Sequence, residues 1–508
     1  MQKASDRIIL SLNLIACADY IQYLNILKMK EKEWFNGSRQ NVPFSKKHSL
    51  LLFILLPAIA VLLGWGLRGF IGGGPYGALI PGAMVTLTIC MLLDVPLMFA
   101  AIALVFGTTG TAMGGDMTYG QTLGFLKNPD TVWWGFAGTS LKGGVWGLIS
   151  GTFIALGLVY QRIKVKTILI GFLIFLILFA IGLKLINDPR ILYFSNPVDQ
   201  PRDESWAGLL FAVIGLLVYL KIKAGAEEFK VLKRFALFGA VGGVLGFGLG
   251  SLWITVGSQY GDQFLIVDWW KMMEFSFGLT LGGFLGYAAW GTNLEWHSNS
   301  KKPAKLYKIF SIEVIASILI AFFLYATIPL FESFLETIKN QDGIGFRSLM
   351  IIGRVFISAA FIGPLLILIA MRWPYLSFQI AVTITFCHCV IDLVTDDRLF
   401  PSLQSSPFLI IVGTIIVTLV VSVLVAIYQR KHFVLRSMFL ILVWSTMAVA
   451  VVRMIASGEF NFKNDHSFSQ ILIGDLFVFN VFMISAIAVS AMVLKNKNLK
   501  SRYLQNNL

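Results

Sequence analysis

The chain has 508 residues, of which 57% are hydrophobic and only 13% charged, and its mean hydropathy is +0.77. Soluble globular chains carry about 25% charged residues, so the composition excludes an ordinary soluble domain and predicts an all-α, polytopic integral membrane protein. The net charge of +14 would suit a nucleic-acid partner, but the basic residues are distributed as membrane topology requires. The sequence therefore predicts membrane lipids and a small-molecule substrate as partners, and no nucleic acid.

Fourteen apolar segments, each near the length that crosses a bilayer as a helix, lie along the chain. They cover residues 49–67, 74–93, 96–113, 136–160, 167–186, 206–220, 235–256, 272–292, 309–330, 349–371, 375–393, 407–428, 437–456 and 470–494. The bilayer core offers no hydrogen-bonding partner to backbone groups, so each segment is predicted to be a transmembrane helix.

The Lys and Arg residues are divided unequally between the two sides that these segments define. Of the 41, 28 lie in the two tails and the even-numbered gaps, and 11 lie in the odd-numbered gaps or at the segment ends that border them. The densest clusters belong to the first group, as in KIKAGAEEFKVLKR at 221–234. By the positive-inside rule both termini are cytoplasmic, and the predicted location is the cell (inner or plasma) membrane.

The chain divides into two bundles with tails and a linker. The start of the N-terminal tail resembles a secretion signal in part, but its apolar core is short and contains Asn13. A cytoplasmic interfacial helix, or translation from Met29, is the preferred interpretation. The predicted parts are a cytoplasmic tail (1–48), a Gly- and Trp-rich bundle of eight segments (49–292), a basic cytoplasmic linker (293–308), a second bundle of six plainer segments (309–494) and a cytoplasmic tail (495–508).

The fourth and eighth segments resemble each other. Both open with a tryptophan pair and continue with glycine at every fourth residue, a pattern that lets another helix approach closely. The glycines are Gly143, Gly147 and Gly151 in the fourth segment and Gly278, Gly282 and Gly286 in the eighth. We interpret this as a parallel four-helix repeat within the first eight segments, and chance recurrence of packing glycines is the alternative.

The first gap on the predicted outer side is crowded with glycine and carries one arginine. The stretch LLGWGLRGFIGGGPYGALIPGAM (62–84) places Arg68 among seven glycines, and the next outer gap, 107–134, is also glycine-rich. Non-helical backbone at membrane depth is stable only when it is buried in protein or lines a wet cavity. We therefore predict that both segments fold into the outer half of the bundle. Arg68 would pair with Asp116 there or hold an anionic or polyhydroxyl group; the alternative is that it extends to the lipid headgroups.

Two further ionisable residues lie inside predicted helices near the outer surface. Lys142 is one to two turns into the fourth segment, and Glu274 is one turn into the eighth. Charges within a span are costly, so a functional role is the first hypothesis, and a structural ion pair is the alternative. The neighbouring tryptophans would either stack on a sugar ring or anchor the helices at the interface. The predicted substrate-binding residues are Arg68, Asp116, Tyr119, Gln121, Trp134, Lys142, Trp270 and Glu274.

The second bundle contains one compact polar cluster, FCHCVIDLVTDDRLF at 386–400. His388 and Asp392 are four residues apart and share a helix face. Because histidine titrates near neutrality, this spacing predicts a proton relay, with a helix-packing pair as the alternative. Two ligands without a recognisable zinc pattern do not indicate a metal site.

These features favour a secondary transporter of a small polar solute, either a sugar or an organic anion. The coupling cation would be a proton carried by His388 and Asp392, or by Glu274. The alternative is a membrane-embedded transferase that acts on a lipid-linked or glycan substrate at the outer face, with Asp116 and Lys142 as an acid–base pair. The chain has no GxxxxGK[ST], HExxH or GxSxG motif, so ATP-driven pumping and the common hydrolase chemistries are not expected, and no cofactor or metal is predicted.

Overall fold

The computed structural model describes residues 48–198, 201–260, 267–292, 294, 310–338, 344–395, 407–430, 434–460 and 467–495. These residues form helices and contain no strand, as the composition predicts. Most of the two predicted tails and of the basic linker lies outside the described residues, and so does the segment that resembles a secretion signal.

The first bundle contains ten helices among the described residues. They are α1 (Leu50–Ile71), α2 (Gly74–Gly77), α3 (Leu79–Leu92), α4 (Leu97–Gly114), α5 (Gly120–Gly124), α6 (Val132–Val159), α7 (Val165–Gly182), α8 (Trp206–Lys223), α9 (Ala226–Tyr260) and α10 (Trp269–Trp290). Side-chain caps fix two of their first turns, because Ser49 accepts from the amide of Leu52 and Asp268 accepts from the amide of Lys271.

The second bundle contains nine helices in the part of the chain that the structure describes. They are α11 (Phe310–Phe322), α12 (Ile328–Ile338), α13 (Ile344–Ile357), α14 (Ala359–Arg372), α15 (Ile384–Val394), α16 (Pro407–Tyr428), α17 (Val434–Ala456), α18 (Phe468–Gln470) and α19 (Phe477–Lys495). Short π-helical turns, which often mark functional positions, precede α12, α15 and α19 at Phe323–Thr327, Gln379–Thr383 and Ile471–Asp475.

Twelve helical segments among the described residues are long and apolar enough to cross a membrane, and the chain is a multi-pass membrane protein. The remaining two predicted segments are also helical. One is α10, and the other is divided between α13 and α14, which are separated at Ser358. The total of fourteen spans, the orientation and the plasma membrane stay predictions.

The predicted glycine faces are sites of close helix contact. A methyl group at Gly147 of α6 would overlap the carbonyl oxygen of Gly239 on α9. In the same way, a methyl group at Gly286 of α10 would overlap the carbonyl oxygen of Phe53 on α1. Both contacts are antiparallel and depend on the missing side chain. The glycine face of α6 contacts glycines of α9, whereas the glycine face of α10 contacts residues of α1 that are not glycine. The four-helix repeat stays a prediction.

The predicted loop at 107–134 is largely helical, which corrects the sequence interpretation. Helix α4 continues to Gly114, and a short turn then leads to α5. The glycines of α4 in this segment are packing positions, because added side chains would collide with Phe153 at Gly110 and with Trp146 at Gly114. Glycine that lies on a crowded helix face cannot be distinguished in sequence from glycine in a loop.

The predicted break after Arg68 is present. Helix α1 ends at Ile71, and the backbone passes through Gly72 and Gly73 into the short helix α2. Gly74 has φ +67°, a conformation that glycine adopts without strain. A second break at Ser358 separates α13 from α14. These two breaks lie on either side of the candidate site.

Candidate functional site

Arg68 is buried beneath the turn that joins α1 to α2. Only 1% of its surface is exposed, so it does not extend to the lipid headgroups. Its guanidinium donates to the hydroxyl of Tyr119 at 2.5 Å and to the carbonyl oxygen of Gly74 at 3.3 Å. It also lies 5.2 to 5.5 Å from the ring centres of Trp65, Tyr119 and Trp146. Aromatic faces stabilise a cation electrostatically, so this cage replaces part of the lost hydration.

The predicted ion pair between Arg68 and Asp116 does not form. No carboxylate in the described part of the chain makes an ion pair with Arg68, and its Nε is buried without a hydrogen-bond partner. Arg68 donates to the carbonyl oxygen of Gly74, and Gly115, which precedes Asp116, packs against the same peptide. Both segments therefore contact the turn, but their charges are not paired.

Asp116 borders a cavity of about 300 Å³ that we call the Asp116 cavity. The cavity lies between the α2 turn, α4, the first turns of α14 and the π-helical turn before α12, so both helix breaks contribute to its wall. Its polar lining includes Tyr76, Asp116 and Glu332. The backbone amides of Ala359 and Ala360, at the N-terminus of α14, face the Asp116 carboxylate and stabilise its charged form.

Burial has the larger effect on Asp116. The pKa of its carboxyl is raised from 3.8 to about 7: desolvation is the largest cause, the two amides act in the opposite direction, and the neighbouring charge of Glu332 adds a smaller increase. Its Oδ2 is buried and has no hydrogen-bond partner. Asp116 therefore combines a free acceptor atom with a pKa near physiological pH, a combination that is often found at functional sites.

The predicted relay residues His388 and Asp392 lie against the turn that joins α1 to α2, near Tyr76 and Gly72 respectively, but they are not hydrogen-bonded to each other. Asp392 pairs with Arg453 of α17, which also donates to the carbonyl oxygen of Ile71. The His388 ring lies near the rings of Tyr76 and Tyr325, and its Nε2 is buried without a partner. The pair thus divides into an ion pair that holds the end of α1 and a separate histidine.

Lys142 is part of a fully satisfied buried ion pair. An ammonium group has three donors, and those of Lys142 reach the Thr118 carbonyl at 2.6 Å, the Thr122 hydroxyl at 2.8 Å and Glu204 Oε1 at 2.7 Å. The Glu204 carboxylate accepts three further bonds, from Phe194, Ser195 and Trp206. No donor remains for a solute, so the geometry supports the structural alternative for Lys142.

Glu274 has a comparable environment. Its carboxylate accepts from Lys271 Nζ at 2.6 Å and from Trp270 Nε1 at 3.0 Å, and Lys271 also donates to the carbonyl oxygen of Gly66. The carboxylate lies against the backbone of Gly69, one residue from Arg68. Trp270 and Glu274 therefore adjoin the Arg68 cage, where the Trp270 ring lies 6.5 Å from that of Tyr119.

Gln121 and Trp134 do not line the Asp116 cavity. Gln121 Oε1 accepts from the amide of Asn196 at 3.1 Å. The Trp134 ring is 4.7 Å from Phe194, and 41% of the residue is exposed. Both contact the segment that contains Glu204, so the structure associates them with the Lys142 ion pair. Their predicted role in binding stays untested.

Sequence reasoning missed several residues that define this region. They are Tyr76, Glu204, Lys271, Glu332, Ser358 and Arg453. Glu204 and Lys271 appeared in sequence as ordinary charges in outer gaps, and Arg453 appeared as a charge at the outer end of the thirteenth segment. The available signal was their position within a few residues of a helix end, where a charge is able to turn inward.

Comparison with family models, with curated proteins and with solved structures finds no match to this chain. The chemistry of the described residues is therefore the basis for a functional proposal.

Proposed function

We propose that this protein is a secondary transporter of a small polar solute and that the Asp116 cavity is its binding site. The observation that carries the proposal is the position of this cavity between two breaks in helical structure, the turn that joins α1 to α2 and the break between α13 and α14. Transporters commonly bind their solutes where helices are broken, because the free backbone groups there are available to a polar ligand. A membrane protein tolerates such breaks only where they are buried or line a cavity.

The surroundings of the cavity also suit movement. The α2 turn is four residues long, follows two glycines, and is held from one side by Arg68 and from the other by Arg453 through Ile71. Breaking and reforming these few bonds would let the turn shift without disturbing the long helices. Alternating access requires part of the structure to move between two arrangements, and a local element of this kind is able to do so.

The topology that we propose has fourteen transmembrane helices, both termini in the cytoplasm of the cell and, within the first eight helices, a parallel four-helix repeat. The antiparallel contacts of α6 with α9 and of α1 with α10 agree with regular alternation across the membrane. In this topology the Asp116 cavity lies toward the outside. Coupling to a proton would use a group that is not held in an ion pair, which favours His388 or Asp116 over Glu274.

The test is uptake by proteoliposomes that contain the purified protein. A panel of labelled sugars, organic anions and amines is offered with and without an inward or outward proton gradient. We expect uptake of at least one class to depend on the gradient and to be lost in Asp116→Asn. The matched control is Asp130→Asn, which alters an exposed carboxylate outside the cavity. Gradient-independent leakage that is equal in both variants would contradict the proposal.

The alternative function is a transferase at the outer face, and one observation favours it: Arg68, Asp116, Lys142 and Glu274 all lie toward the same end of the helices. Its predicted acid–base pair is absent, however, because Asp116 borders α14 whereas Lys142 is bonded to Glu204. A lipid product formed by the purified protein without any solute uptake would favour this alternative.

A further inference from the structure

The Asp116 cavity offers hydrogen-bond acceptors and negative charge, and among the described residues no Lys or Arg lines it. Its titratable side chains are Tyr76, Asp116 and Glu332, and its only other polar side chain, Thr109, donates to its own helix. The rest of the lining is apolar, including Leu324, Ile362 and Leu366 on different helices. Among the described residues the lining presents the Asp116 carboxyl to a ligand and no Lys or Arg, so an anion would meet an acidic group and no cation that could bind it, which is strongly unfavourable in a desolvated site.

Asp116 supplies the specific contact point. Its Oδ2 is a buried acceptor without a partner, and a buried polar atom in this state costs free energy until a donor reaches it. The hydroxyl of Tyr76, which is also in the lining, is engaged with the carbonyl oxygen of Leu324. Oδ2 is therefore expected either to carry a proton or to accept a hydrogen bond from a ligand.

We propose that the Asp116 cavity binds a small amphipathic amine in its ammonium form, with the apolar wall around the carbon skeleton and Asp116 bonded to the ammonium group. This inference rests on the proposed transport function and narrows its solute class. When the amine is absent, Asp116 carries a proton on Oδ2. Binding of the ammonium displaces that proton to solvent, so one positive charge is exchanged for another and the net charge of the cavity is unchanged.

The exchange gives a defined pH dependence. Because burial raises the pKa of Asp116 to about 7, the fraction of the carboxyl that is charged rises roughly tenfold between pH 6 and pH 8. The groups that face Asp116 from the packed elements are Tyr76 on α2, Glu332 on α12 and the uncharged amides of α14. Glu332 is exposed and borders the same cavity, so it is expected to add a smaller attraction.

The experiment measures binding by the full-length purified protein in detergent, with three probes of similar size: benzylamine, benzoate and benzyl alcohol. Isothermal titration calorimetry is carried out at pH 6, 7 and 8. We expect benzylamine alone to bind, with a roughly tenfold gain in affinity from pH 6 to pH 8. Equal or tighter binding of benzoate, or benzylamine affinity that does not change with pH, would overturn the inference.

Two variants locate the site. Asp116→Asn keeps the size of the side chain but cannot charge, so benzylamine affinity is expected to fall at least about tenfold and to lose its pH dependence. Glu332→Gln changes an exposed carboxylate and is expected to lower affinity only a few-fold. If Asp116→Asn does not fold, the probe series and Glu332→Gln still decide the matter. Wild-type affinity in both variants would contradict the assignment.

Failure of the amine site and failure of the transport function give different results, because binding and uptake are measured independently. Benzylamine binding that requires Asp116, without benzylamine uptake by proteoliposomes, supports the site and contradicts the transport function. Gradient-driven uptake of a sugar or an organic anion, without benzylamine binding, supports transport and contradicts the amine site.

Discussion

Removing one partner of the Lys142–Glu204 ion pair is expected to destabilise the protein strongly. Both side chains are 1% exposed, and their charged atoms are 2.7 Å apart. Lys142→Met deletes the ammonium and leaves the Glu204 carboxylate buried with three neutral donors. Glu204→Gln leaves the ammonium buried and turns an amide NH₂ toward groups that donate to the carboxylate.

Breaking a buried ion pair in this way costs about 3–5 kcal/mol. Replacing both partners by uncharged side chains is expected to cost less than the sum of the two single changes, because no buried charge remains. The double variant Lys142→Met/Glu204→Gln should therefore recover part of the loss. In thermal unfolding, each single variant is expected to melt roughly 3–5 °C below the wild type, because the unfolding entropy of a chain this long is about 1 kcal/mol per degree.

A thiol-reactive fluorescent dye provides the assay. Cys90, Cys387 and Cys389 are free and buried, so they react only when the helices open. Cys17 lies outside the described residues and is replaced by serine in every variant, which removes its background. The protein is heated in detergent with the dye, and the midpoint of the fluorescence rise is compared between variants.

The refuting outcome is specific. If Lys142 serves to bind the solute, Lys142→Met will melt within about 2 °C of the wild type but will lose uptake. The double variant will then show no recovery in stability. In that case Lys142 does not have a structural role, and it belongs to the binding site as the sequence predicts.

Two other changes test the packing around Arg68 with the same melting assay. Arg68→Met is expected to cost less than Lys142→Met, about 1–2 kcal/mol, because it breaks two hydrogen bonds but leaves no buried carboxylate unpaired; an equal or greater loss would reveal a counter-charge. Gly69→Ala is expected to cost about 1–3 kcal/mol, because its methyl group would overlap the Glu274 carboxylate. Its control is Gly73→Ala, where no atom lies within 4 Å of the added methyl group, and a matching loss in both would refute the reasoning.

The candidate site was predictable in part. Composition indicated that Arg68 and the surrounding glycines were unusual, since a charge beside apolar helices requires an explanation. The sequence could not show that Asp116 faces the first turn of α14 across more than 240 residues of chain. Nor could it show that Asp392, four residues from His388, pairs instead with Arg453.

The sequence by itself determined that this is a helical, multi-pass membrane protein and where its helices lie, because the bilayer requires long apolar segments with internally bonded backbone. It also indicated that the glycine faces of the fourth and eighth segments pack closely, since a glycine at every fourth residue is visible within a single helix. Only the tertiary structure decided which charges are neutralised and which carboxylate borders a cavity. Ion pairs and burial depend on residues brought together from distant helices, and spacing along one helix contains no information about the partner on another.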